Sequence, residues 1–150
     1  MDKTFLVKQL HARVSAHAKE ALRTAEDSRQ DAKSGANRAV NLARGTNARA
    51  EAALKALDDL ELFKPKPLNR GQPIGLGAIV EVEGDTGGKT LFLAPCGAGE
   101  EVEGPNGDGF FFVVTPASPL GRAVMGKRVG DVVETTVDGE PAEWEITFAA

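Results

Sequence analysis

Three carboxylates, Glu26, Asp27 and Asp31, fall close together in a stretch without glycine or proline. Asp27 and Asp31 are four apart, so on a helix they share a face. Two chemistries fit them. With Arg23, Arg29 and Lys33 interleaved as ion-pair partners they form a solvated helix face. Alternatively they present acids to a basic partner or to Mg²⁺, a hard cation that takes one or two carboxylates plus waters and substrate oxygens. Elsewhere the chemistry-bearing residues are sparse. Both histidines, His11 and His17, lie in the first helical stretch, which excludes a His-based metal site; His17 is expected in a packing seam. The single cysteine, Cys96, excludes a disulfide framework or Cys-rich zinc site and has no base nearby in sequence. Gly97-Ala98-Gly99 lacks the strand-to-helix context and the Lys-Ser/Thr of a phosphate loop. No nucleophile–base pair is visible, so no catalytic residue is assigned.

The elements that must position these residues come in two kinds. Residues 3–33 are rich in Ala, Lys, Arg, Glu and Leu, all good helix formers. Val7, Leu10, Val14, His17, Ala21, Thr24 and Ser28 recur at alternating spacings of three and four, the seam of a coiled coil. Ser34-Gly35 breaks the run. Ala36, Ala39, Ala43, Thr46, Ala50, Ala53, Leu57 and Leu60 then repeat the spacing. Two complementary seams joined by a short turn predict an antiparallel helical hairpin over residues 1–63. Thirty residues at 1.5 Å rise would project about 45 Å. Leu and Val fill the seam at the open end, and Ala, Ser and Thr fill it toward the turn. Each Ala in place of Leu forfeits about 2 kcal/mol of burial, so the tip half is expected to be the less stable. Gly45 in mid-helix costs about 1 kcal/mol more.

Residues 64–73 hold three prolines and a glycine and read as a linker. The hydrophobic period then changes to two. Residues 78–83 alternate, 84–88 turn the chain, and 89–94 run extended. Residues 95–109 are Gly-rich and acidic, hence loop. Residues 110–114 read as a buried strand. Ser118 then Pro119 open a short helix, with Ser as the capping type and Pro at the first helical position. Asp138-Gly139 joins two closing strands as a tight hairpin. Four or five strands and one short helix are expected over residues 74–150. The candidate core is Val80, Val82, Leu91, Leu93, Phe111, Val113, Leu120, Val124, Val133, Trp144, Ile146 and Phe148. Trp144 shares a strand face with Ile146 and Phe148, so it is expected in the core rather than as a ligand platform.

Charge follows the same division. Residues 1–61 carry eleven Lys and Arg against nine Asp and Glu, and residues 62–150 seven against thirteen. A pI near 5.3 argues against duplex DNA as main partner, and no sequence-specific DNA binding is expected. No run approaches the roughly 20 apolar residues that span a bilayer. Met1-Asp2-Lys3-Thr4-Phe5 lacks the layout of a secretion signal, and the expectation is a cytoplasmic protein without membrane partners.

Residues 118–131, S-P-L-G-R-A-V-M-G-K-R-V-G-D, resemble the signature of the GreA/GreB-type transcript cleavage factors, S-P-L-G-R-A-L-L-G-K-x-V-G-D. The resemblance extends to residues 74–149 by motif and to 3–61 by architecture. It implies an α+β chain: an antiparallel coiled-coil hairpin, then a small FKBP-like antiparallel β domain with one short helix and no isomerase activity. It further implies a bacterial accessory factor of RNA polymerase. The C-terminal domain docks at the secondary channel, with Ser118, Pro119 and Leu120 carried over as the polymerase-binding step. The coiled coil reaches inward and meets nascent RNA indirectly. Glu26, Asp27 and Asp31 would be the tip carboxylates that assist the polymerase's own Mg²⁺, with no cofactor of the chain itself. The family's tip motif, G-D-L-S-E-N-A-E-Y, is absent; residues 25–37 stand in its place, and the chain has no tyrosine. The hairpin is shorter by about ten residues, about 7 Å of reach. Ala117 replaces an acidic residue that some members carry before the Ser.

Two competing classes remain open. An FKBP-like peptidyl-prolyl isomerase needs an aromatic-lined apolar pocket, and this domain has one Trp, no Tyr and few spare Phe. A coiled-coil adaptor without polymerase contact needs only the hairpin.

Overall fold

The structure is a computed structural model. It describes residues 3–32, 37–104, 107, 109–137 and 139–150, with the backbone alone at 31, 32, 37–39, 41, 42 and 137. The chain divides into two compact units, residues 11–62 and residues 1–10 with 63–150.

Helix α1 spans Thr4–Ala32 and α2 spans Asn37–Leu62. The run of strong helix formers carries α1 without a break, and α2 continues through Gly45. Within residues 11–62 the helices are antiparallel. His11 Nε2 lies 3.3 Å from Glu61 Oε1. Further along, Ala21 and Thr24 of α1 share a groove with Thr46 and Arg49 of α2. On α2 the expected seam holds: Ala43, Thr46, Ala50 and Leu60 are buried, and the Thr46 hydroxyl donates to the Ala43 carbonyl oxygen at 3.1 Å. Small residues fill the seam toward the turn, as Ala25, Ser28, Ala43 and Thr46 are all buried. Ser34, Gly35 and Ala36 lie outside the described residues, as does the side chain of Ala39.

On α1 the seam is rotated from its expected position. Leu6, Leu10, Val14 and Ala18 are buried, while His17 and Thr24 are exposed and Val7 is half-buried. The buried row advances in steps of four, and each such step turns it about 40° around the helix. At the start of α1 the row packs within residues 1–10 and 63–150. A Cβ built on Gly97 would lie 2.6 Å from Leu10 Cδ1. Gln9 pairs with Glu103, donating from Nε2 to its carbonyl at 2.7 Å and accepting its N–H at 2.9 Å. Lys3, buried, donates from Nζ to the Lys66 carbonyl at 2.9 Å and to the Ala150 carbonyl at 2.8 Å.

Six strands form one sheet: β1 Ile79–Gly84, β2 Gly87–Leu93, β3 Glu101–Glu103, β4 Phe110–Val114, β5 Val132–Val137 and β6 Glu140–Ala149. Their order is β3-β4-β2-β1-β6-β5. Neighbours are antiparallel except β2 and β4, which run parallel in register Leu91↔Phe112 to Leu93↔Val114. The sheet thus exceeds the expected four or five strands. The addition is β3, three residues inside the stretch that composition marks as loop; it pairs with β4, and Gln9 covers Glu103 on it. The short helix α3, Pro119–Val124, packs beside β5.

The core joins Val80, Val82, Leu91, Leu93, Val114, Val124, Val133, Trp144 and Ile146. Phe111, Val113 and Val102 are buried as well, and Leu120 packs partly buried at the margin. Phe148 departs from expectation and is 42% exposed. Val82 pairs with Ile146 but Glu81 pairs with Phe148, so Thr147 is an extra residue in β6. That bulge breaks the period of two and puts Phe148 on the face of Glu81. Trp144 and Ile146, before the bulge, stay inside. Residues 64–73 lie along the same unit: Arg128 Nε donates to the Gly71 carbonyl at 3.0 Å, and Ile74 exchanges backbone hydrogen bonds with Lys127 and Gly126.

Candidate functional site

The S-P-L-G stretch is built as a stiff turn leading out of β4. The Ser118 side chain makes no helix-capping bond, contrary to the capping role expected of it. Its hydroxyl instead turns back on Thr115, donating to the carbonyl oxygen at 2.8 Å and accepting the N–H at 3.0 Å. The Ser118 N–H donates to the same carbonyl at 3.0 Å. Thr115 is thereby saturated by one residue, and the bridging segment is closed. Pro119 occupies the first helical turn, where its missing N–H leaves no gap. The helix starts with the Arg122 N–H on the Ser118 carbonyl at 2.8 Å. Gly121 is demanded by packing: a Cβ there would lie 2.0 Å from Thr115 O and 2.7 Å from Ser118 Oγ. The motif's Ser and Gly are two halves of one contact. The outcome is an exposed Pro119 held on a rigid turn, with Leu120 anchored toward the core.

Beside this turn runs an apolar cleft of about 290 Å³, lined by Leu91, Phe112, Val114, Ser118, Pro119 and Leu120 among others, with Lys89 as its sole charged residue. The Lys89 ammonium sits 5.5 Å from the ring centroids of both Phe112 and Trp144. Trp144 is 4% exposed, as a core residue, and its Nε1 has no hydrogen-bond partner among the described residues. Lys89 was not singled out by spacing or motif. The signal for it is parity: it shares a strand face with Leu91 and Leu93, where a charged side chain is out of place.

The carboxylates belong to the other unit. Glu26 and Asp27 are exposed on α1, flanking the buried Ala25 and Ser28. Arg29 Nη2 meets Glu26 Oε2 at 2.8 Å, an exposed i,i+3 pair. Asp27 makes no hydrogen bond or ion pair among the described residues. The side chain of Asp31 lies outside the described residues. Among those described, no group of three or more His, Cys, Asp or Glu is arranged to hold a metal ion. His17 lines the groove between α1 and α2 with Glu20 and Arg49. No helix among the described residues is long and apolar enough to cross a membrane.

A sheet backed by one short helix, with a Ser-Pro-Leu-Gly turn at its head and a coiled-coil hairpin before it, defines the class. The family model described as transcription elongation factor, GreA/GreB, C-terminal, matches residues 71–149, and the chain belongs to that family. Among curated relatives, transcription inhibitor protein Gfh1 of Thermus aquaticus is 34% identical over 98 residues, 63% of this chain and 58% of that protein. Its counterpart from Thermus thermophilus is 33% identical over the same span. The chain thus spans under two thirds of the length of the relatives it matches. Among solved structures, one titled as the transcription factor Gfh1 is 25% identical, covering 95% of this chain and 90% of that one, with a TM-score of 0.43. Thermus aquaticus Gfh1 is 21% identical, with coverage of 95% and 92% and a TM-score of 0.39.

Proposed function

We propose that this chain is a non-enzymatic accessory factor of bacterial RNA polymerase, acting in the cytoplasm. It docks by the Ser118-Pro119-Leu120 turn at the secondary channel, inserts its coiled coil, and modulates elongation. The carrying observation is the Ser118–Thr115–Gly121 contact, which presents Pro119 on a fixed turn within the segment that the family model covers. The family match ends at the C-terminal domain, so the tip stands on its own residues. There Glu26 is paired with Arg29, and the family's tip motif is missing. Cleavage of backtracked RNA, were it stimulated, would be chemistry of the polymerase active site and its Mg²⁺, with Asp27 and Asp31 as supplementary ligands. The relatives named transcription inhibitors favour modulation over that outcome. An isomerase reading loses support, because Lys89 places a charge over the aromatic floor of the cleft.

The test is RNA cleavage in stalled, backtracked elongation complexes, with the wild-type chain beside Asp27→Ala/Asp31→Ala. The expected result is binding to core polymerase and competition against a cleavage factor, without faster 3′-end cleavage. Acceleration abolished by the double substitution would establish the cleavage reading instead. Absence of both binding and competition would remove the polymerase reading.

A further inference from the structure

The cleft beside Pro119 has a property that docking by the turn alone does not use. Its walls are largely apolar, and among the described residues that line it the one charge is the Lys89 ammonium. That ammonium carries three donors. Among the described residues it meets no acceptor, only the faces of Phe112 and Trp144. The Ser118 hydroxyl is already committed to Thr115, so it does not compete for an incoming group. Lys89 also lines a polar cleft with Asp85, Glu140 and Glu143, whose carboxylates repel an anion. The α3 side has no acid among its lining residues. An anion therefore approaches from the side of Ser118 and Pro119.

We infer that this cleft is a carboxylate-reading pocket. It takes an Asp or Glu side chain of the protein segment that docks against Pro119, with Lys89 as the recognition cation and Phe112 as the aromatic residue of its lining. The inference rests on the docking reading for its partner but not for its chemistry. Aromatic faces hold an ammonium in place without neutralising it, which leaves its donors for an ionised acceptor. In a partly dehydrated cleft such a bond discriminates strongly between an acid and its neutral isostere.

Trp144 is the only tryptophan, the chain has no tyrosine, and the Lys89 ammonium lies over its ring, so intrinsic emission reports on that ammonium. Hexanoate is titrated against the full chain, with hexanamide as the neutral control, in wild type, Lys89→Arg and Lys89→Met. The expected result is a saturable change with hexanoate, none with hexanamide, retention in Lys89→Arg and loss in Lys89→Met. Equal responses to both probes, or none to either, overturn the inference. In parallel, affinity for core polymerase is expected to fall at least about tenfold in Lys89→Met, with a flatter salt dependence. Wild-type binding with an unchanged Lys89→Met overturns the inference and leaves the docking reading standing. No wild-type binding removes the docking reading, and the hexanoate titration then decides the pocket alone. A thermal melt of each variant establishes that its fold is intact.

Discussion

Adding a methyl group at Gly121 tests how the Ser118–Gly121 turn is built. The backbone there has no positive φ, so any penalty comes from contact alone. The new Cβ would lie 2.0 Å from the Thr115 carbonyl oxygen. An ordinary carbon–oxygen approach is about 3.3 Å, so the mismatch exceeds an ångström. The opposing atom is backbone and cannot swing aside. Either α3 shifts outward or the turn opens and Ser118 Oγ loses its two bonds to Thr115. Overpacking costs about 1–3 kcal/mol, and each lost hydrogen bond about 1 kcal/mol. A destabilisation of about 3 kcal/mol is expected for Gly121→Ala. At about 4–8 °C per kcal/mol in a domain of this size, the Trp144 emission melt falls by about 12–24 °C. Ser118→Ala, which removes only the hydroxyl, is expected to cost about 1–2 kcal/mol. Polymerase affinity is expected to drop in both at temperatures where the domain is still folded. A Gly121→Ala melt within about 2 °C of wild type would refute the claim that Ser and Gly form one contact, because the clash would then be relieved at no cost.

Gly45 gives the opposite sign. A Cβ there meets nothing within 4 Å, and the residue sits inside α2. Gly45→Ala is expected to stabilise the hairpin by up to about 1 kcal/mol, read as a higher midpoint of helix unfolding by circular dichroism; a lower midpoint refutes the argument. Lys3 sets a pH dependence. Burial holds its ammonium below the ordinary 10.5, so between the lowered value and 10.5 the unfolded chain binds more protons than the folded one. Stability then rises with pH across that window, and the gain is complete above it. The urea midpoint of wild type is expected to climb relative to Lys3→Met as pH rises toward 10.5, and a relative fall over that range contradicts the reasoning.

Much of the fold could be read from the chain because local pattern and tertiary environment agree. The change of hydrophobic period at residues 64–73 separates helices from strands. The α2 seam, with Ala43, Thr46 and Ala50, survives because its burial comes from within the hairpin itself. The α1 seam holds at Leu10, Val14 and Ser28 and departs from expectation at Leu6 and Ala18, which are buried; Leu10 also meets Gly97, a contact far away in sequence that no periodicity within α1 carries. Edge strand β3 was hidden for a related reason. Three residues between glycines have no period to detect, and their pairing comes from β4 and Gln9. The docking turn shows the same division at smaller scale. The motif is visible as letters, but its Ser serves the residue three before it rather than the helix after it.

Phe148 and Lys89 both depart from the face their strand parity assigns, and comparing them separates structure from function. Phe148 is apolar and outside; the bulge at Thr147 accounts for it fully, since one inserted residue must flip every side chain beyond it. Lys89 is charged and on the inner face. No bulge explains it, because β2 keeps register with β1 from Gly84↔Gly87 to Ile79↔Phe92. Nor does an ion pair: among the described residues the Lys89 ammonium lies over two aromatic rings and meets no carboxylate within ion-pair distance. A methionine at that position would fill the same space and avoid dehydrating a charge. A local rule broken with aromatic faces alone to offset the charge points to a requirement outside the fold. The ammonium lies in the cleft that Ser118 and Pro119 border, where an acidic partner side chain would meet that requirement.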